Sequence, residues 1–158
     1  MAHEYRAEIV WTRDGAAFTD NRYSRGHVWR FDGGVEVPAS SSPLSVKLPL
    51  SREDAVDPEE ALVAALASCH MLFFLSFAAK GGFVVDRYED AAVAVMSKNE
   101  HGKLFISKIT LNPVIAFSGA KWPSLEEFNA LHHHSHEECY IANSVRAEVV
   151  VAAQQTVS

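Results

Sequence analysis

The hydrophobic positions of this chain change period several times, and each change marks an element. In His3–Thr12, Tyr5, Ala7, Ile9 and Trp11 alternate with Glu4, Arg6 and Glu8, a period of two that predicts a strand with one wet face. Asp14-Gly15 is a turn signal. Tyr23–Phe31 also reads as extended, and Asp32-Gly33-Gly34 closes it with a tight turn. Between Val35 and Val56, Pro38, Pro43 and Pro49 punctuate a run of small residues. That composition predicts a loop with one short strand around Leu44–Leu50.

At Asp57 the pattern becomes helical. Asp57-Pro58-Glu59-Glu60 offers an N-cap, a proline at the first helical position and a glutamate that closes a capping box. Acidic groups in the first turn suit the positive end of the helix dipole. The helix is expected to run to Lys80, with Gly81-Gly82 as its stop. From Ala61 to Ala79 it carries no charge. A membrane span is the bland reading of such a run, but Ser68, Cys69, His70 and Ser76 interrupt it and it barely reaches the ~20 residues a bilayer needs. No second span or aromatic belt accompanies it, so no membrane is expected. A helix apolar on all sides is then one buried all round, which needs more cover than one sheet of this chain supplies and suggests a second subunit.

Beyond Gly82, Phe83–Met96 is β-branched and aromatic with interspersed charges, and Ala91–Met96 reads as a strand. Asn99–Gly102 is a turn, and Leu104–Phe117 alternates as one strand pairing back in a hairpin. Ser124 and Glu127 form a second capping box, after which Leu125, Phe128 and Leu131 fall on one stripe of a helix expected to reach about Glu138. A helical turn or loop at Tyr140–Ser144 and a strand Val145–Ala153 close the chain. The expected architecture is α+β in one domain, residues 1–158, with strands flanking a long central helix.

Composition narrows the function. The 158 residues carry a net charge of -6, and no basic stripe is present, which argues against nucleic acid as a partner. The opening residues lack the pattern of a secretory signal, so a cytoplasmic location is expected. Only two cysteines occur, Cys69 and Cys139, too few for a disulfide-rich scaffold. In a reducing compartment they are inert core thiols or take part in redox or metal chemistry. Cys69, among Ala, Leu and Phe, would alone be read as packed core. Cys139 follows Leu131-His132-His133-His134-Ser135-His136-Glu137-Glu138, a setting too polar for a core position. The histidines admit a zinc reading, with His132 and His136 as the best pair, yet paired ligands from a second segment are missing beyond Cys69-His70. A solvated histidine face is the plainer expectation, with no metal and no cofactor.

The stretch Asp57-Pro58-Glu59-Glu60-Ala61-Leu62-Val63-Ala64-Ala65-Leu66-Ala67-Ser68-Cys69 resembles the cysteine-bearing helix of the OsmC/Ohr proteins, the osmotically inducible and organic hydroperoxide reductase family. His136-Glu137-Glu138-Cys139-Tyr140-Ile141-Ala142-Asn143-Ser144 is similar to the family's second-cysteine segment, and Trp29-Arg30-Phe31-Asp32-Gly33 to its arginine-bearing stretch. The likeness in element order spans nearly the whole chain. It implies an intertwined homodimer with antiparallel sheets wrapped around long central helices, and a peroxidase reducing organic hydroperoxides with an external dithiol. It further implies Cys69 as the peroxidatic thiol, Cys139 as the resolving thiol, Glu59 as the carboxylate and Arg30 as the guanidinium, with Arg25 in reserve. His70 stands where hydroperoxide reductases usually carry an aromatic.

Under that resemblance, Cys69 thiolate attacks the peroxide, and a cation held by Glu59 offsets the desolvation that would keep the thiol neutral. Glu59 and Cys69 are ten positions apart, ~15 Å along one helix and ~80° around it. They can share a site only if a second copy of the helix runs alongside, which implies composite sites at a dimer interface. Two other functions stay open: a redox sensor or small-molecule-binding protein on the same fold with little turnover, and a Cys/His metal-binding protein.

Overall fold

The computed structural model describes residues 2–157, with Val157 described in its backbone alone. The chain divides into two compact units, Met1–Ala61 and Leu62–Ser158.

The first unit is built on a three-stranded antiparallel sheet of order β1-β2-β3: β1 (Ala7–Val10), β2 (His27–Phe31) and β3 (Glu36–Ala39). The β2–β3 turn closes where Gly34, at φ 83°, donates its N–H to the Phe31 carbonyl at 3.0 Å. A side chain would strain that left-handed position. The short strand expected around Leu44–Leu50 is not there. That segment turns instead, with Ser45 N–H on the Ser42 carbonyl at 2.9 Å and Leu50 N–H on the Lys47 carbonyl at 3.1 Å. Pro43 and Pro49 cannot donate to a ladder, and the Ser42 hydroxyl accepts the Leu44 N–H at 3.1 Å. The strand forms earlier, around Pro38. As β3 is an edge strand, the missing N–H of Pro38 costs nothing, while its carbonyl accepts the Val56 N–H at 3.0 Å.

Helix α1 (Pro58–Lys80) starts as the sequence predicts. The Asp57 carboxylate accepts the Glu60 N–H at 2.8 Å, and the Glu60 carboxylate accepts the Asp57 N–H at 3.3 Å. At the other end, the Gly82 N–H reaches the Ala79 carbonyl and the Phe83 N–H reaches the Ala78 carbonyl, both at 3.0 Å, with Gly82 at φ 76°. This is a Schellman termination.

The second unit adds two three-stranded sheets, β4-β7-β9 and β5-β6-β8, from β4 (Val84–Asp90), β5 (Val93–Lys98), β6 (Leu104–Leu111), β7 (Pro113–Ser118), β8 (Glu148–Val151) and β9 (Gln154–Val157). Each sheet is mixed rather than purely antiparallel: β6 pairs β8 and β7 pairs β9 in parallel. The expected single strand over Leu104–Phe117 is split at Asn112. There the Asn112 N–H goes to the Asp90 carboxylate at 2.7 Å and its side chain to the Ala91 carbonyl at 3.0 Å, so β6 and β7 enter different sheets. The expected closing strand Val145–Ala153 forms only over Glu148–Val151 as β8, and β9 follows beyond it in the other sheet.

Helix α2 (Leu125–Glu138) carries the expected Ser124/Glu127 capping box and is followed by a single 3-10 turn, Ala142–Ser144. Phe128 and Leu131 are buried, but Leu125 is exposed, since it sits in the first turn before the helix meets the core. One core cluster gathers Phe74, Ala78, Phe83, Ile115, Phe117, Phe128 and Leu131; the other gathers Leu66, Ile109 and Leu111. Helix α1 serves both with one stripe, Leu66, His70, Phe74 and Ala78. Among the described residues, its remaining faces are exposed: Leu72 is 60% exposed, and only 22% of its most apolar stretch is buried. By length and composition this helix could cross a membrane, with a mean hydropathy of 2.0.

Candidate functional site

Cys69 lies three turns into α1 and is half-buried; Cys139 ends α2 as its C-cap residue and is 0% exposed. The polar run before Cys139 therefore does not put it at the surface. A C-cap residue has left the helical spiral, and here the chain turns inward, with the Ala142 N–H donating to the Cys139 sulfur at 3.4 Å. The Asn143 side chain fixes the same turn by donating to the carbonyls of Glu137 at 2.8 Å and Cys139 at 3.1 Å. The two thiols, 70 positions apart in sequence, meet within hydrogen-bonding range, and both are free.

Burial pushes the Cys139 thiol up to about 11, the Ala142 N–H opposes this, and the hydrogen bond and charge of Cys69 add to the rise. Cys139 is thus a protonated thiol at neutral pH that can donate to the Cys69 sulfur. Aromatic side chains line the neighbourhood. Phe73, one turn beyond Cys69, meets the exposed Tyr140 edge to face at 5.2 Å and Phe77 at 6.1 Å. The arrangement is an accessible sulfur with a buried sulfur behind it and an apolar wall beside it.

A histidine pair lies between α1 and α2. His70 Nε2 and His132 Nδ1 are 3.0 Å apart, with rings nearly parallel at 5°. His132 also stacks on Phe74 at 4.4 Å and meets Phe128 edge to face at 4.8 Å. His132 is therefore core, not part of a solvated face; only His133 and His134 among the histidines of that run are exposed, and both approach Glu137 at 3.3 Å. Desolvation, with the charge of His136, pushes His70 down to about 4, and desolvation with the charge of His70 pushes His132 down to about 3. His70 Nδ1, His132 Nε2 and His136 Nδ1 are buried without a partner. Among the described residues, no group of three or more His, Cys, Asp or Glu side chains is disposed to hold a metal ion.

The remaining candidates belong to the first unit. Arg30 pairs across the sheet with Glu8 on β1 and Glu36 on β3. Its Nε donates to Glu36 at 2.7 Å and its Nη1 to Glu8 at 3.4 Å; Glu36's hydrogen bond foremost holds it more firmly charged than an ordinary arginine. Glu59, in the first turn of α1, forms no ion pair among the described residues, so an Arg30–Glu59 pair is not made within this chain. Arg25 donates to the Asn21 side chain at 2.8 Å and to the Tyr23 carbonyl, with its guanidinium 3.8 Å above the Tyr23 ring. The structure thus brings together Cys69 and Cys139, and it pairs Arg30 with Glu8 and Glu36 rather than with Glu59. Sequence reasoning missed the His70–His132 pair. The spacing of His132 from Phe128 and Leu131, at i+4 and i+1, was the signal that it continues the buried face.

Residues 51–154 match the family model described as OsmC-like protein. A solved structure of an OsmC-like protein of unknown function from Vibrio cholerae is 51% identical, with a TM-score of 0.95 over 97% of this chain and 100% of that one. An organic hydroperoxide resistance protein from Elizabethkingia anophelis superposes with a TM-score of 0.69 at 16% identity, covering 100% of both chains. One from Bacillus subtilis does so at 0.60 and 17%, covering 98% of both. These two likenesses are of fold. No curated protein matches the chain.

Proposed function

From the premise that this chain belongs to the OsmC-like protein family, we propose that it is a thiol-dependent peroxidase for organic hydroperoxides. The observation that carries the reading is the meeting of Cys69 and Cys139: a half-buried thiol with access to solvent, and a fully buried partner in hydrogen-bonding range. Organic hydroperoxide resistance proteins share the fold, which supports the substrate class.

In the proposed reaction, the Cys69 thiolate attacks the outer peroxide oxygen. The O–O bond breaks, the alcohol leaves with a proton, and Cys69 becomes a sulfenic acid. The Cys139 thiol, kept protonated by burial, then condenses with it: an S–S bond forms, the S–O bond breaks and water leaves with the Cys139 proton. An external dithiol returns two electrons and two protons by exchange and leaves as its own disulfide. Phe73, Phe77 and Tyr140 beside the thiols suit an alkyl or aryl peroxide substituent better than a bare hydroxyl. A reducing cytoplasm would supply the dithiol.

The bare apolar faces of α1 support a homodimer in which a second copy covers them. In such a dimer the ~15 Å from Glu59 to Cys69 would be closed by the partner helix, and Arg30 or Arg25 is the proposed cation. The test is turnover of cumene hydroperoxide with a dihydrolipoyl-type reductant. We expect saturable turnover that Cys69→Ser abolishes, while Cys139→Ser reacts once and stalls as sulfenic acid. An unchanged rate in Cys69→Ser would remove the reading. Reversible disulfide formation without turnover would favour a redox sensor on the same two thiols.

A further inference from the structure

The buried histidine pair has no part in the chemistry just described, and its position relates to both thiols. His70 directly follows Cys69 on α1. His132 precedes Cys139, the C-cap of α2, by seven positions, about two turns or ~10 Å along the axis. The His70–His132 contact at 3.0 Å joins α1 to the body of α2, two turns before the thiols meet at its C-cap. Apolar contacts between these helices, Phe74 with Phe128 among them, are non-directional, whereas a ring-to-ring hydrogen bond fixes both spacing and register.

The pair also has a defined protonation pattern. Two neutral imidazoles can bond only if one nitrogen carries the proton and the other does not. Whichever ring donates, one of the outer nitrogens, His70 Nδ1 or His132 Nε2, is left as an unpaired N–H and the other as an unpaired lone pair. Leaving both orphaned at 1% and 5% exposure carries a desolvation cost that two phenylalanines would not incur. Phe74 and Phe128 hold the His132 ring against rotation, so the tie is rigid.

We propose that His70 and His132 are positioning residues for the dithiol: their hydrogen bond sets the distance between α1 and the end of α2 at which Cys69 and Cys139 can join. A disulfide tolerates only a narrow range of Cα separation, ~4.4–6.8 Å, so a small change in helix spacing is felt in its stability. The inference rests on the proposed dithiol chemistry, but it concerns the thiol–disulfide equilibrium rather than peroxide turnover.

The test equilibrates the full chain in buffers of reduced and oxidised glutathione at neutral pH. Glutathione disulfide takes two electrons and two protons from Cys69 and Cys139 as their disulfide forms, and acid-quenched, alkylated protein is counted by mass. His70→Phe and His132→Phe keep ring volume but lose the bond. We expect the equilibrium constant for the intramolecular disulfide to fall about fivefold in each, the scale of one hydrogen bond and about 20 mV for a two-electron couple. His70→Gln, whose amide nitrogen stands where Nε2 stood, is expected to return to within about twofold of wild type. Melting temperatures need not follow, since the Phe variants also remove the orphaned nitrogens.

Phe variants that match wild type, or a Gln variant as impaired as its Phe counterpart, would overturn the proposal. For variants that fail to fold, the wild type decides: the imidazole nitrogen resonances of His70 and His132 must shift between dithiol and disulfide forms, and identical spectra would refute the coupling. A wild type that forms the disulfide but consumes no hydroperoxide would remove the proposed activity and leave this inference in place.

Discussion

The two units of this chain are ordered by different forces. In the first, the sheet is held by ladder hydrogen bonds and by cross-strand charge, with Arg30 between Glu8 and Glu36, while Tyr5, Ile9, Val35 and Leu44 are exposed. Its buried groups are small or polar: Ala39, Ser40, Ser51 and Asp57. In the second, Leu66, Phe74, Ile109, Leu111, Ile115, Phe117 and Phe128 are buried, and the thiols and the histidine pair are set into that apolar frame. Directional bonds between exposed groups fix a local register, whereas burial fixes groups distant in sequence against each other. Only the second mechanism brings Cys69 to Cys139.

The largest contrast is chemical. Cys69→Ser should cut hydroperoxide turnover by about a thousandfold or more, as loss of a nucleophile does, read in the coupled dithiol assay. Arg30→Ala sharpens the comparison from the other side. If the first unit contributes the cation, that variant loses turnover while its melting temperature stays near wild type, because exposed ion pairs add little to stability.

Next in size is packing. Phe74→Ala, at 0% exposure and in ring contact with Tyr88, Phe117, Phe128 and His132, should destabilise the protein by about 3–5 kcal/mol in denaturant titration. Leu44→Ala in the first unit, at 99% exposure, should stay within about 0.5 kcal/mol.

Acid should weaken the second unit through its histidines. His70 and His132 are held down at about 4 and about 3 in the folded protein, against ~6.5 when unfolded, so the unfolded state binds protons first as pH falls. Stability is therefore complete above pH ~6.5 and declines as pH drops toward those folded values. The neighbouring titratable groups include His136, which acts on His70, and Tyr88, in ring contact with Phe74. A His70→Phe/His132→Phe double variant should lose less melting temperature than wild type between pH 6.5 and 4.5. An equal loss would place the acid sensitivity elsewhere. A smaller loss than that of Phe74 is expected from Asp57→Ala, which removes the N-cap of α1 and should cost about 1 kcal/mol.

Much of this was legible in the residues because local chemistry decided it. Asp57/Glu60 and Ser124/Glu127 cap helices by side chains three positions from their targets, and Gly82 ends α1 because the left-handed residue of the Schellman turn favours glycine. What escaped was decided by partners far along the chain. Asn112 splits β6 from β7 by bonding to Asp90 and Ala91, which no period in Leu104–Phe117 reveals. Pro38 sits in a strand because that strand is an edge. Cys139 and His132 look polar by their neighbours, yet one turns inward at a helix cap and the other stacks on Phe74. Both cysteines were singled out by family-like motifs, but no pattern indicated that a histidine pair would lie between their helices.

The most direct test of the account treats the fully reduced protein with one equivalent of cumene hydroperoxide and maps the cysteine peptides by mass. The account predicts a Cys69–Cys139 cross-linked peptide two hydrogens lighter than the sum of its parts, with one equivalent of cumyl alcohol. Two free thiols beside unreacted peroxide, or a Cys69 sulfinic acid with Cys139 still reduced, would contradict it.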